Sequence, residues 1–140
     1  MSEPVKAIKI LLYSDDRTVR EDVRFTLGRR LASDLPELDI RDVATPDVVI
    51  RELDADPNYD VIILDGEARP MGGFGLAHQL QEEYPNCPPI ALLVARVQDA
   101  WLATWSGADV IAPYPVDPMQ LPQQIADLVR AKVGSDVQLA

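Results

Sequence analysis

The sequence predicts a doubly wound α/β domain, a largely parallel five-stranded sheet with helices on both faces and three layers in all. Two observations carry that expectation. Short apolar runs alternate with longer runs of helical spacing along the chain. Two of the short runs also end in acid, Asp15-Asp16 after Ile8 to Tyr13 and Asp65 after Val61-Ile62-Ile63-Leu64. Strands that alternate strictly with helices pair in parallel, because each crossover helix returns the chain to the same edge.

The elements follow in order. Ala7 to Tyr13 reads as a buried strand, and from Asp16 the apolar positions shift to Val19, Val23, Leu27 and Leu31, one stripe of a helix that Asp15 or Asp16 can cap. Leu38 to Val43 alternates apolar and polar residues, as a half-exposed strand does. Thr45-Pro46 supplies a cap and a first helical position for a helix over Val48, Val49, Ile50 and Leu53 that stops before Pro57. Val61 to Leu64 lacks alternation and so predicts a strand buried on both faces. A glycine-rich loop from Gly66 to Gly75 leads to a helix of about ten residues ending near Tyr84-Pro85. Pro89 to Val94 is the fourth strand, Gln98 to Ser106 a short helix and Asp109 to Ala112 the fifth strand. The last helix starts near Asp117-Pro118 and carries Met119, Leu121, Ile125, Leu128 and Val129, with Pro122 in its first turn where a missing N–H does no harm.

Size and composition set the function classes. A chain of 140 residues that is 47% hydrophobic suits one domain, with a core over about 6–133 and a flexible tail over 134–140. No apolar stretch follows a basic one at Met1 to Lys6 and no run approaches a membrane span, so no membrane insertion is expected and a cytoplasmic location is the default. Cys87 is the only cysteine, which excludes an internal disulfide, and nothing near it in sequence would activate a thiol. The net charge of −10 argues against nucleic acid as a direct partner, and Arg29-Arg30 is the only adjacent basic pair.

The acidic strand ends carry the functional signal. If the first and third strands are neighbours, as in a 2-1-3-4-5 order, Asp15, Asp16 and Asp65 gather at the sheet edge where open α/β folds bind ligands. Three carboxylates so placed repel one another unless a proton or a hard cation lies among them. In this arrangement the chain resembles the receiver domain of bacterial response regulators, the CheY-like form of the flavodoxin-like fold, over nearly its whole length. The resemblance rests on Asp15 with Arg20 five residues on, Asp65 at the end of the third strand and Gly73 eight residues past it. Gly107-Ala108-Asp109 before the fifth strand and Pro115 after it, where the family commonly has a cis peptide, complete the pattern.

The resemblance implies a mechanism. Asp65 would attack the phosphoryl group of a partner histidine kinase or phosphotransfer protein and form an aspartyl-phosphate. Asp15, Asp65 and the backbone carbonyl of Glu67 would hold Mg²⁺, with Asp16 and Ser14 completing the acidic pocket. Beyond self-phosphorylation and dephosphorylation no enzymatic activity is expected.

Several residues depart from the family pattern. Val94 stands for the Thr or Ser that ends the fourth strand, Tyr114 for the Lys before the proline, and Ile111 for the aromatic of the fifth strand. Ser14 replaces the first member of the acidic pair, and Pro70 sits one residue late in its loop. Each charge-assisted hydrogen bond to a phosphoryl oxygen contributes about 1.5 to 3 kcal/mol, whereas a switch thrown from nearly off to nearly on needs about 5.5 kcal/mol. Phosphorylation at Asp65 is therefore expected to be chemically possible yet poorly coupled to shape. Glu67 and Arg96 align with the variable positions at the mouth of the site, and Arg69 is near in sequence. The Arg96 guanidinium could replace the lost ammonium, or Arg96 and Glu67 could form a solvated ion pair that contributes little.

The remaining conspicuous residues read as structural or as contact residues. His78 reads as a surface residue of the third helix. Trp101 and Trp105, four apart on a short helix, share a face and mark a candidate partner surface. The family's use of its fourth helix, fifth strand and fifth helix makes a downstream protein target, or a homodimer, the expected contact there. Two functions stay open: a single-domain response regulator phosphorylated on Asp65, and a pseudo-receiver that docks independently of phosphorylation. An unrelated hydrolase or flavodoxin-like cofactor binder finds no support, since there is no Gly-x-Gly-x-x-Gly, no P-loop and no hydroxyl-rich phosphate loop after the first strand.

Overall fold

The apolar runs without alternation form the centre of the sheet. The computed structural model describes residues 6–68, 72–96 and 99–139. In chain order the elements are β1 (Ile8–Tyr13), α1 (Arg17–Leu27), β2 (Leu38–Val43), α2 (Pro46–Ala55), β3 (Val61–Asp65), α3 (Gly73–Glu83), β4 (Ile90–Val94), α4 (Ala100–Ser106), β5 (Val110–Pro113) and α5 (Gln120–Leu139). All strand pairs are parallel, in the order β2-β1-β3-β4-β5. Every residue of β3 and β4 is buried, whereas the edge strands β2 and β5 are largely exposed.

Strand parity sorts the core into two faces. Leu11, Tyr13, Ile62, Leu64 and Leu92 pack toward Val49 and Leu53 of α2 and Leu76 and Leu80 of α3. Ile10, Leu12, Ile63 and Leu93 pack toward Val19, Val23 and Leu27 of α1 and Leu121, Ile125 and Val129 of α5. Burying each such aliphatic side chain contributes about 1.5–3 kcal/mol, so the doubly covered central strands fix the register of the whole sheet.

Local chemistry sets the element ends. Asp16 caps α1, accepting from the Thr18 N–H at 2.8 Å, and Thr45 caps α2 ahead of Pro46. The Gly107-Ala108-Asp109 motif turns the chain from α4 into β5. Gly107 takes the left-handed φ of +80° that closes α4, and Asp109 Oδ2 accepts from the Ile90 N–H at 2.8 Å. The Tyr114-Pro115 peptide is cis, as the resemblance implied.

Three boundaries differ from expectation. The stripe expected to reach Leu31 ends with α1 at Leu27, where Gly28 takes a positive φ of 66° and closes the helix. The glycine-rich loop was expected to run to Gly75, but α3 begins at Gly73. A Cβ on Gly73 would lie 2.8 Å from the Asp65 carbonyl oxygen, so the missing side chain serves close packing against β3 rather than loop freedom. The tail expected from residue 134 is helical in its backbone to Leu139. Pro122 is the last proline, and a single interior glycine such as Gly134 costs only about 1 kcal/mol, too little to end a helix. Arg69, Pro70 and Gln98, named from the sequence, lie outside the described residues.

Candidate functional site

Parallel register brings the acidic strand ends together. Tyr13 pairs with Leu64 and Leu93 with Asp65, so Ser14 and Asp65, each one residue further along, meet at the C-terminal edge. Ser14 is fully buried, and its hydroxyl donates to Asp65 Oδ2 at 2.7 Å. The Glu67 N–H donates to Asp65 Oδ1 at 2.9 Å. Asp65 itself is 6% exposed, and these two donors offset the desolvation of its carboxylate and fix its plane.

The neighbouring acids share a cavity with Asp65. Asp16 has one oxygen committed to the Thr18 N–H, and it lines the cavity together with Asp15, which is exposed, and Asp65, which is buried. Among the described residues no group of three or more His, Cys, Asp or Glu side chains could hold a metal ion together. A cation here would rest on two carboxylates, a carbonyl and water, a donor set that suits Mg²⁺. Asp15, Asp16, Val19, Asp65, Glu67, Ala95 and Tyr114 line this cavity, of about 350 Å³. A recess of about 400 Å³ beside Arg30, Asp34 and Glu37 is larger, but its charges are paired, Asp34 with Arg130 and Glu37 with Arg30. Size alone therefore does not locate the site.

At the end of β4 two small apolar residues divide between the core and the cavity. Val94 is 7% exposed and belongs to the α2–α3 face of the core, whereas Ala95 lines the cavity. Leu93 pairs with Asp65, and side chains two apart share a face, so parity brings Ala95, not Val94, to the cavity beside Asp65. Either residue lacks a hydroxyl. Strand parity was the sequence signal that could have found this.

Tyr114 leaves the cavity open. Its hydroxyl donates to Asp22 Oδ2 of α1 at 2.7 Å, and its ring forms a wall of the cavity. Burial first, and then Asp22, push its pKa up to about 12, with Asp16 and Asp65 adding to the shift. Tyr13, beneath the site, is pushed to about 12 by burial and then by Asp15 and Asp65. Arg96 pairs with Asp99 rather than with Glu67. Its guanidinium forks onto Asp99, with Nε at 2.9 Å and Nη2 at 3.3 Å, because Asp99 lies three residues on and is nearly buried. That bond raises the Arg96 pKa further, and Glu67 adds only a minor attraction. Ile111 is 41% exposed on β5.

The residues of α4 form a second feature, away from the cavity. Trp101 and Trp105 are 67% and 52% exposed, so neither is core. His78 of α3 is half-buried rather than free on the surface. Its ring stacks on Trp105 with centroids 4.2 Å apart, and its Nε2 lies 3.2 Å from Glu82. Cys87, partly buried between α3 and β4, has its thiol pushed up to about 11 by burial and then Asp109, as befits an inert residue. Among the described residues no helix is long and apolar enough to cross a membrane.

Comparison with known proteins agrees with this geometry. No family model matches the chain. A receiver domain protein (CheY-like) from Methanospirillum hungatei superposes with a TM-score of 0.74 at 16% identity, over 93% of this chain and 99% of that one. The signal receiver domain of an HD domain-containing protein from Pseudomonas fluorescens gives 0.76 at 16%, over 97% and 96%. These likenesses establish the fold. An uncharacterized response regulatory protein of Mycobacterium tuberculosis, found in strains CDC 1551 and H37Rv, is 47% identical over 131 residues, 94% of this chain and 98% of that protein. With that identity, the 2-1-3-4-5 sheet and the acidic edge between β1 and β3, the chain belongs to the response regulator receiver family.

Proposed function

We propose that this receiver accepts a phosphoryl group on Asp65 and acts through protein contacts. One observation supports the reading above others: Asp65 is buried, held by a donor on each oxygen, and opens onto a cavity that it shares with Asp15. A carboxylate so restrained is presented in one orientation, which favours in-line attack on phosphorus. Asp15, Asp65 and the Glu67 carbonyl would hold Mg²⁺, which when bound neutralises the charge of the incoming phosphoryl oxygens. Asp15 stands at the open side, where it can take a hydrated ion without leaving water. A histidine kinase or phosphotransfer protein is the donor this reading requires. The expected partner surface is α4 with β5 and the start of α5, where Trp101, Trp105, Ile111 and Met119 are exposed.

The test is direct. The full chain, incubated with Mg²⁺ and acetyl phosphate, is expected to gain one phosphoryl mass, and Asp65→Asn to gain none. Absence of an adduct on the unsubstituted protein, or an equal adduct on Asp65→Asn, defeats the reading. A second reading, a pseudo-receiver that docks whatever the state of Asp65, is favoured by the exposed tryptophans and by the absence of a hydroxyl at Val94 and Ala95. It predicts partner binding by Asp65→Asn equal to that of the unsubstituted chain.

A further inference from the structure

We infer that Ser14 is the positioning residue of this site and that it passes the state of Asp65 to α1. The inference rests on Asp65 as the phosphoryl acceptor. Ser14 stands where the family carries an acid, yet it brings a donor, not a charge, to Asp65 Oδ2 at 2.7 Å. Its direction is set from behind: the Ser14 Oγ accepts from the Asp16 N–H at 3.0 Å, and of the two acceptors for its single proton the Asp65 carboxylate at 2.7 Å is nearer than the Asp16 carbonyl at 3.4 Å. The Ser14 carbonyl in turn accepts from Arg20 Nη1 at 2.7 Å, and Arg20 Nε lies 3.4 Å from Asp42 of β2. Apart from the Ser14 N–H, which donates to the Val43 carbonyl of β2 at 3.2 Å, the bonds behind Ser14 reach the cap and first turn of α1.

Tyr114 points the same way. It walls the cavity that Asp65 opens onto, and its hydroxyl is held by Asp22, one turn further along α1. On the opposite side of Asp65, β4 ends in Val94 and Ala95 follows it, neither side chain offering a donor, and Arg96 is held by Asp99. In place of the hydroxyl at the end of β4 in the family, this site has one just after β1, on the other flank of β3.

The chemistry gives this displacement a consequence. When an Asp65 oxygen forms its bond to phosphorus, the bond from phosphorus to the donor's leaving atom breaks, and that atom, the imidazole nitrogen of a phosphohistidine or the acetate oxygen of acetyl phosphate, keeps the electron pair. The carboxylate becomes an acyl phosphate, loses its charge and accepts hydrogen bonds more weakly, while the phosphoryl oxygens become the stronger acceptors. Ser14 must then re-aim, and the Asp16 N–H that bonds its oxygen moves with it.

The experiment uses the full ¹⁵N-labelled chain with Mg²⁺, acetyl phosphate for rates by intact mass and beryllofluoride for amide shifts. Expected are shifts concentrated on residues 14–22 with the indoles of Trp101 and Trp105 nearly unmoved. Ser14→Ala is expected to slow adduct formation about tenfold, the size of one charge-assisted hydrogen bond, and to erase the Asp16 shift. Ser14→Thr, which keeps the hydroxyl, is expected to retain both. Unchanged rate and shifts in Ser14→Ala overturn the role of Ser14 and leave Asp65 as acceptor. Shifts confined to α4 in the unsubstituted chain overturn the coupling even if Ser14→Ala fails to fold. No adduct on the unsubstituted chain defeats the acceptor reading itself, and this inference falls with it.

Discussion

At the scale of single residues, the site depends on how closely backbones approach beneath Asp65. Gly73 is the clearest case, because a Cβ there would meet the Asp65 carbonyl oxygen at 2.8 Å, its carbon at 2.9 Å and Leu64 Cβ at 2.9 Å. Backbone cannot give way as a flexible side chain can. Gly73→Ala is therefore expected to destabilise the fold by about 1–3 kcal/mol, as overpacking does, and to displace the residue that carries the site. A lowered urea midpoint at unchanged slope checks it, and a midpoint equal to the parent's would show that α3 shifts without strain. Asp15 and Asp65 were legible in the sequence because their positions follow from topology alone: each ends an apolar run, and adjacent parallel strands end at the same edge. Ala95 was not, because a one-residue slip exchanges the two faces of a strand and Leu93-Val94-Ala95 gives no polar mark to set the phase. The Ser14 donor escaped for another reason. A serine in an acidic position reads as a loss until its hydrogen-bond geometry is known.

Elements were legible where periodicity and caps agreed. Thr45-Pro46 marked the start of α2, and the stripe Val19, Val23, Leu27 gave α1 its buried face. The start of α5 was placed less sharply, because Asp117, Pro118 and Pro122 all compete for the role of initiator. The structure gives the role to Asp117, whose Oδ1 accepts from Met119 N–H at 2.8 Å and Gln120 N–H at 3.0 Å. Those two bonds hold the Asp117 carboxyl below its ordinary value of 3.8. Because the folded-state value is the lower one, the stabilisation is present above pH 3.8 and is lost as pH falls through the folded-state value. Asp117→Ala is thus expected to lower the urea midpoint at neutral pH, with a difference from the parent that shrinks below pH 3.8. A difference that persisted undiminished in acid would mean that the loss lies in packing rather than in the charged cap.

Across the whole molecule the tyrosines act together. The chain has four, and Tyr13, Tyr59, Tyr84 and Tyr114 are each pushed up to about 12. Burial is the largest cause at every one, and the next is an acid nearby: Asp15 for Tyr13, Glu52 for Tyr59, Asp54 for Tyr84 and Asp22 for Tyr114. They lie on different elements, Tyr13 on β1, Tyr59 before β3, Tyr84 at the end of α3 and Tyr114 after β5, so the same alkaline range acts on the fold at four places. The sign follows from linkage: each phenol has a folded-state value above its ordinary 10, so the stability it lends is complete below pH 10 and is lost as pH rises toward 12. A net charge of −10 acts in the same direction, since every further ionisation adds to self-repulsion. Alkaline unfolding is therefore expected to be cooperative between pH 10 and 12, with tyrosinate absorbance and loss of far-ultraviolet circular dichroism rising together. Added salt should move that midpoint upward by screening the repulsion. Tyrosinate appearing near pH 10 with the dichroism intact would show that the phenols ionise freely in the folded chain. The Tyr114 bond to Asp22, which links the cavity wall to α1, would then be too weak to hold Tyr114 against α1.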